Sequence, residues 1–361
     1  MPSPDGAEQQ LGHDRGFTGE SNPSAPMTRS GIAGAKWNFF GHVVDSPLGV
    51  AAGPLLNGDW CEHYADLGFD VLTYKTVRSV ARRCYSMPNL QPVESHVMTG
   101  FESEVRTCSK MSGSWAVSFG MPSSDPLVWR KDVERTRHRL SRRKVLSVSV
   151  VGTQREGWSL DQLAEDYAKC ACWAIESGAD MIEANFSCPN VSTCDGQLYQ
   201  SAEESTLVAQ CIRDAIGDAP LVIKIGFIEE MSSVQKLVSA LDGTIDGFSM
   251  TNSLAARVRD DRGNLLFDAE PRGICGRGIR EQSILQVSRF RKVIEQADSQ
   301  LKIIGVGGVS SGRHVDSYLK AGADACHLAT SAMLEPSIAM RIRSELINES
   351  NSNGGSLVDH C

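Results

Sequence analysis

Eight short runs of apolar and β-branched residues alternate along this chain with longer stretches of helical period. The runs are LGVAAG from Leu48, VLTYKTV from Val71, VLSVSVVG from Val145, MIEANFS from Met181, LVIKIG from Leu221, GFSMTNS from Gly247, KIIGVGGV from Lys302 and ACHLAT from Ala325. A strand buried on both faces has no polar side, so short unbroken apolar runs spaced by helices mark parallel strands with crossover connections. Eight such units over roughly 300 residues predict an α/β fold of the (β/α)8, or TIM, barrel type. A doubly wound open sheet would begin with GxGxxG after its first strand, whereas the first run here leads into AAGPLLNG.

The segments outside that pattern have their own character. Residues 1–35 are rich in Ser, Gly, Pro and acidic side chains and bury too little apolar surface to offset ordering, so they read as a disordered polar leader. Residues 36–348 read as the barrel, and 349–361 as a polar tail. Within the barrel, 82–127 carries scattered prolines, serines and glycines without a clear period. It reads as an irregular insertion, a lid on the barrel top.

Composition excludes several classes. A formal charge of −8 leaves no surplus of Lys and Arg for binding nucleic acid. No segment has the apolar length of roughly 20 residues that crosses a membrane, and the start lacks a signal-peptide pattern, so a cytoplasmic protein without membrane insertion is expected. The eleven cysteines form no CxxC pair; no metal or iron–sulfur site is expected, and most read as small buried hydrophobes.

In a barrel the reactive side chains stand at the C-terminal ends of the strands. There the second run carries Lys75 and Thr76, the fourth ends in Asn185-Phe-Ser-Cys188-Pro-Asn190, the fifth carries Lys224, and the sixth ends in Thr251-Asn252-Ser253. A buried lysine is costly without a counter-charge, so Lys75 and Lys224 together point to an anionic or polarised ligand. For either one alone, reaching out to the barrel rim or pairing with a protein carboxylate is the plainer reading. Gly307 and Gly308 follow the seventh run, and Ala329 and Thr330 follow the eighth. Loops at those two places are the recurrent phosphate site of this fold. Any single cysteine is usually inert, but Cys188 stands between amides in a stiff loop, and a thiolate there could act as a base.

NFSCPN, IKIG, TNS, IGVGGVSSG and ATSAM, in that order, resemble the dihydroorotate dehydrogenases, specifically the class 1 enzymes with a cysteine base, over Leu48 to Leu346. The resemblance implies an FMN-binding barrel that oxidises (S)-dihydroorotate to orotate in pyrimidine biosynthesis. It implies Cys188 as the base that takes the C5 proton while hydride leaves C6 for flavin N5. Lys224 would face the flavin N1 and O2 edge, and Lys75 with Thr76 would contact flavin and substrate. Asn185, Asn190, Asn252 and Ser253 would hold the substrate, with Gly120 offering a backbone amide to its carboxylate. Ala52, Gly53, Asn185, Thr251 and the glycine loop ending at Gly276 would line the flavin, and Gly307, Gly308, Ala329 and Thr330 its phosphate. Val117 to Ser123 departs from the family's class 1A segment NSMGLPN, losing its first and last asparagines. The family also implies a homodimer or a flavin and iron–sulfur partner subunit. A barrel acting on a uracil-type dihydropyrimidine, and a non-catalytic flavin-binding barrel, are the alternatives.

Overall fold

A computed structural model describes residues 36–94, 96–187 and 197–354. The leader 1–35, the end 355–361, and with them Cys188 and Asn190, lie outside the described residues. The elements run β1 (Trp37–Phe39), β2 (His42–Val44), β3 (Leu48–Val50), α1 (Gly58–Asp66), β4 (Val71–Val77), β5 (Leu90–Pro92), β6 (Glu104–Arg106), β7 (Ser114–Val117) and α2 (Pro126–Arg139). They continue with β8 (Val145–Val150), α3 (Leu160–Glu176), β9 (Met181–Asn185), α4 (Ala202–Ile216), β10 (Leu221–Lys224), α5 (Met231–Leu241), β11 (Gly247–Met250), β12 (Leu254–Arg259) and β13 (Arg272–Gly276). The chain closes with α6 (Arg280–Gln296), β14 (Lys302–Val306), α7 (Gly312–Lys320), β15 (Ala325–Leu328), α8 (Thr330–Leu334) and α9 (Ile338–Gly354). The last helix extends into the stretch expected as a tail.

All eight predicted runs are strands, and β3, β4, β8, β9, β10, β11, β14 and β15 form one closed barrel, each pair parallel. The local chemistry is consistent with this: α3 opens on a capping box of Ser159 and Gln162 and ends before Gly178, whose φ of +95° only glycine adopts cheaply. The hairpin β1–β2 plugs the bottom of the barrel. Phe39 and Phe40 pack there with the inward residues Val71, Val145, Met181 and Ile304, each such side chain worth roughly 1.5–3 kcal/mol when buried.

Every second barrel strand is entered through an aspartate clamped by an arginine from a neighbouring helix. Asp180, before β9, pairs with Arg137 of α2; Asp246, before β11, with Arg213 of α4 at 2.7 Å; Asp324, before β15, with Arg291 of α6 at 2.6 Å. The same carboxylates accept the strand amides of Leu146, Leu221 and Ile303 at 2.7 to 2.8 Å. Asp70, before β4, repeats the arrangement with Arg343 of the final helix at 3.1 Å, taking the Ser46 hydroxyl in place of a strand amide. The bottom face is thus stitched around the full circle, and the opposite face is left for chemistry.

The segment expected to be an irregular insertion is more ordered than its sequence suggests. Its three strands join a later pair into a five-stranded sheet, β5-β7-β13-β12-β6, over the barrel mouth. Val93, Val105, Ala116, Leu254, Val258 and Ile274 form a small second core beneath it. Arg259 on β12 grips Glu104 on β6 at 2.7 Å, so this cap is tied together across the sequence.

Candidate active site

The mouth of the barrel gathers most of the residues singled out above. Lys75 stands near the end of β4, where register with β8 shifts between Tyr74 and Val77; such a bulge re-aims side chains at a barrel rim. The residue is half-buried, and its ammonium has no hydrogen-bonding or carboxylate partner among the described residues. Burial first, then the charge of Lys224, pulls its pKa down from 10.5 to about 8.

Lys224, at the end of β10, has the carboxylate partner that the plainer sequence reading of a lone lysine foresaw. Its Nζ lies 2.9 Å from Oε1 of Glu183 on β9, and the pair is buried, with side chains 9% and 2% exposed. Burial alone would raise the Glu183 pKa. The adjacent ammonium and hydrogen bonds from Lys224 and Ser149 outweigh it and hold the carboxyl below its ordinary range. Ser149 in turn lies 3.0 Å from the Thr76 hydroxyl, which links the lumen to the rim.

Asn185 follows on β9 and is buried. Its Oδ1 accepts from the Ser187 amide and hydroxyl at 3.2 and 2.8 Å, and its Nδ2 donates to Sδ of Met121 at 3.0 Å. The loop Gly120–Ser123 is therefore tied to the strand end that leads toward Cys188. Arg78, wholly buried, pins the same loop by donating to the Met121 carbonyl at 3.1 Å and the Gly152 carbonyl at 2.8 Å. Gly120 itself has φ of +69° and lies under the Tyr85 ring.

The expected phosphate end also comes together. Gly276 has φ of +95°, and a Cβ there would sit 2.2 Å from the Gly113 carbonyl oxygen and 3.1 Å from Thr330 Cγ2. A Cβ on Gly308, φ +65°, would lie 2.8 Å from the Gly276 carbonyl oxygen. The turns after β13 and β14 thus meet backbone to backbone, and the Thr330 side chain at the start of α8 packs against them, with Gly307 and Ala329 alongside. Three bare backbones converging on a helix start leave amides for an oxyanion. Ala52 is buried after β3, and the adjoining Gly53 is exposed, with open space where its Cβ would stand. Thr251 receives a hydrogen bond from Gln286 Nε2 at 3.0 Å, and Ser253, beyond half-buried Asn252, packs against Gly273 of the cap sheet.

Several buried polar residues escaped the sequence reading. Glu183 could have been found, since it shares inward parity with Asn185 two positions on. His327, on β15, is 1% exposed, its two ring nitrogens have no hydrogen-bond partner among the described residues, and burial above all lowers its pKa to about 4. Gln286 carried no signal, being one polar residue among many on α6. The cysteine expectation needs correction. Cys61, Cys170 and Cys326 are buried, but Cys84 is exposed and Cys108, Cys172, Cys211 and Cys275 only partly covered.

A closed parallel barrel with a glycine cradle beyond its seventh strand and cations at its mouth belongs among the phosphate-anchoring (β/α)8 enzymes. A family profile described as Dihydroorotate dehydrogenase matches residues 35–349. A dihydroorotate dehydrogenase of Dictyostelium discoideum is 31% identical over 84% of this chain and 86% of its own length. A dihydroorotate dehydrogenase (quinone) of Bordetella avium is 25% identical over 81% and 78%. A dihydroorotate dehydrogenase B (NAD(+)) catalytic subunit of Maridesulfovibrio salexigens is 26% identical over 51% and 59%. Among solved structures, Eimeria tenella DHODH in complex with ferulenol shares the fold at TM-score 0.69 and 20% identity, over 88% of this chain and 85% of that one. The chain belongs to the dihydroorotate dehydrogenase family, oxidoreductases that act on a CH–CH bond with FMN as cofactor and a dihydropyrimidine as substrate. The cradle of Gly276, Gly308 and Thr330 suits the FMN phosphate, and the cation of Lys75, without a partner among the described residues, suits an anionic ring or carboxylate. Among the described residues no helix is long and apolar enough to cross a membrane.

Proposed function

We propose that this chain is a dihydroorotate dehydrogenase of the class 1, cysteine-base type, converting (S)-dihydroorotate to orotate in pyrimidine biosynthesis. The observation that carries the reading is that Asn185, at the head of the Asn185-Phe-Ser-Cys188-Pro-Asn190 motif, lies at the same barrel mouth as Lys75, Lys224 and the glycine cradle. FMN, when bound, supplies the hydride acceptor. Cys188 removes the C5 proton, and the electron pair of that bond forms the new C5=C6 bond as hydride leaves C6. Nearby positive charge favours the thiolate this requires. Asn185, Asn190, Asn252 and Ser253 orient the ring, Gly120 offers its amide to the carboxylate, and Gly307, Gly308, Ala329 and Thr330 hold the phosphate. Residues 36–348 act as a single catalytic domain capped by the 82–127 segment. The enzyme works as a cytoplasmic homodimer, or with an electron-transfer partner subunit.

The test is the Cys188→Ala variant of the flavin-loaded protein. It should keep its yellow colour, while anaerobic bleaching by dihydroorotate slows by roughly two to four orders of magnitude, the usual worth of a general base. Bleaching at the native rate removes Cys188 from the mechanism. Turnover with fumarate, with NAD and with a soluble quinone then assigns the acceptor. A second reading, a uracil-type dihydropyrimidine as substrate, is favoured by Val117, which offers no hydrogen bond where the family segment has asparagine. It prevails if dihydrouracil bleaches the flavin and dihydroorotate does not.

A further inference from the structure

Glu183 has no part in the mechanism above, yet it is a carboxylate buried at 2% exposure inside the barrel. Burying an ion is expensive, and it persists only where a partner and hydrogen bonds replace water. The lumen supplies both. Lys224 lies 2.9 Å away, and Ser149 donates a second bond. The other titratable group bearing on it is His327 across the barrel, whose imidazole burial keeps neutral, while Lys75 at the rim bears on Lys224. Two ammonium groups and one carboxylate leave the described lumen one net positive charge. Neighbouring inward positions are filled by neutral side chains, Ser147, Ser249 and Thr73, so packing alone does not call for an acid here.

We infer that Glu183 is a positioning residue. Its carboxylate holds the Lys224 ammonium on the lumen side and offsets its charge, setting how strongly the site stabilises negative charge on the flavin's N1 and O2 edge. The inference rests on the reading that Lys224 faces that edge. Without Glu183 the lumen holds two uncompensated cations, and a flavin carrying added negative charge is favoured.

Sulfite probes this without turnover: its sulfur lone pair bonds to N5 of oxidised flavin as the C4a=N5 π bond opens, and the electron pair so displaced leaves negative charge on the N1–C2 edge. In the FMN-loaded Glu183→Gln variant, sulfite at about pH 6, where an unpaired lysine keeps its proton, should bind about fivefold or more tightly than to the native protein. A Glu183→Gln, Lys224→Met double variant should lose the gain, which a merely structural role for Glu183 would not predict. Equal or weaker sulfite binding by fully loaded Glu183→Gln overturns the inference. If that variant does not fold, Glu183→Asp, whose shorter carboxylate draws back from Lys224, should bind sulfite more tightly than the native protein; an unchanged affinity there overturns it equally. Bleaching of the native holoenzyme by dihydroorotate is read separately. Its absence counts against the proposed function, whereas bleaching with unaltered sulfite affinity counts against Glu183 alone.

Discussion

Arg343 donates to Asp70 at 3.1 Å across 273 residues of sequence. It also donates to the Gly68 carbonyl at 2.7 Å, as Arg291 does to the Gly322 carbonyl at 2.8 Å beside Asp324. The chain's final helix thereby plays for the second barrel strand the part that α2, α4 and α6 play for the fourth, sixth and eighth. The clamp binds a helix near one end of the barrel's sequence to a strand entrance near the other. A closed barrel needs such a closure, because its first and last strands carry no covalent link.

The clamp carries a measurable share of stability. Asp70 is fully buried, so Arg343→Ala leaves it with Lys144 and Ser46 alone and strips the Gly68 carbonyl of its donor. The loss should be roughly 1–3 kcal/mol by urea unfolding. Arg139→Ala, which breaks an exposed pair with Glu62 at 3.4 Å, should cost under about 1 kcal/mol. Equal losses in the two variants would deny the clamp any special weight.

His327 should make the fold acid-sensitive. Its folded pKa of about 4 lies below the ordinary 6.5, chiefly through burial, with Glu183 raising it and Lys224 lowering it further. Between those values the unfolded chain binds the extra proton, so stability declines as pH falls from 6.5 through about 4, by up to on the order of 3 kcal/mol. His327→Gln removes that proton, and its unfolding free energy should fall less steeply with acid over the same window. Parallel curves for the two proteins would contradict this.

The barrel was legible because each of its strands is buried on both faces and stands out as a short, mostly apolar or β-branched run that reads without a partner. The cap sheet was not, for the opposite reason. Val105 is the only buried residue of β6, and that strand's partner, β12, lies some 150 positions away in the numbering, so its order comes from tertiary pairing that no local pattern carries. Gly307 and Gly308 could be placed because their positions follow from counting strands, whereas Gly276, at the end of a cap strand, was placed only through the family resemblance. Lys224 illustrates the limit. Its strand and depth were readable, but the choice between a ligand and Glu183 depends on a neighbouring strand's register, where Glu183 pairs with Val222 and Asn185 with Lys224.

Lys75 should impose a pH limit on anion binding. With a pKa near 8 it carries its charge below that pH and loses it above. Orotate affinity, followed by the flavin difference spectrum, should be level up to pH 8 and then weaken by up to about tenfold per unit. Lys75→Gln should bind orotate weakly at every pH and without that break. In the flavin-free protein the same depressed pKa works in the opposite sense. The unfolded chain holds the proton up to 10.5, so stability rises between pH 8 and 10.5. An orotate affinity that stays level to pH 9.5 would remove Lys75 from the anion site.

Gly276 tests the cradle. Alanine there meets two obstacles at once, a φ of +95° and a Cβ 2.2 Å from the Gly113 carbonyl oxygen, whose backbone also accepts from Arg277 N at 2.7 Å. The turn must open to admit the methyl group, and opening it moves the amides that face Gly308 and Thr330. Gly276→Ala should therefore lose FMN affinity by about tenfold or more while costing only about 1–3 kcal/mol of stability in the flavin-free protein. Gly243→Ala is the control: its φ of +76° is equally positive, but nothing lies within 4 Å of its Cβ and it sits between α5 and β11, on the face opposite the mouth. It should lose comparable stability and keep native FMN affinity. Full retention of FMN by Gly276→Ala would move the phosphate site elsewhere on the barrel.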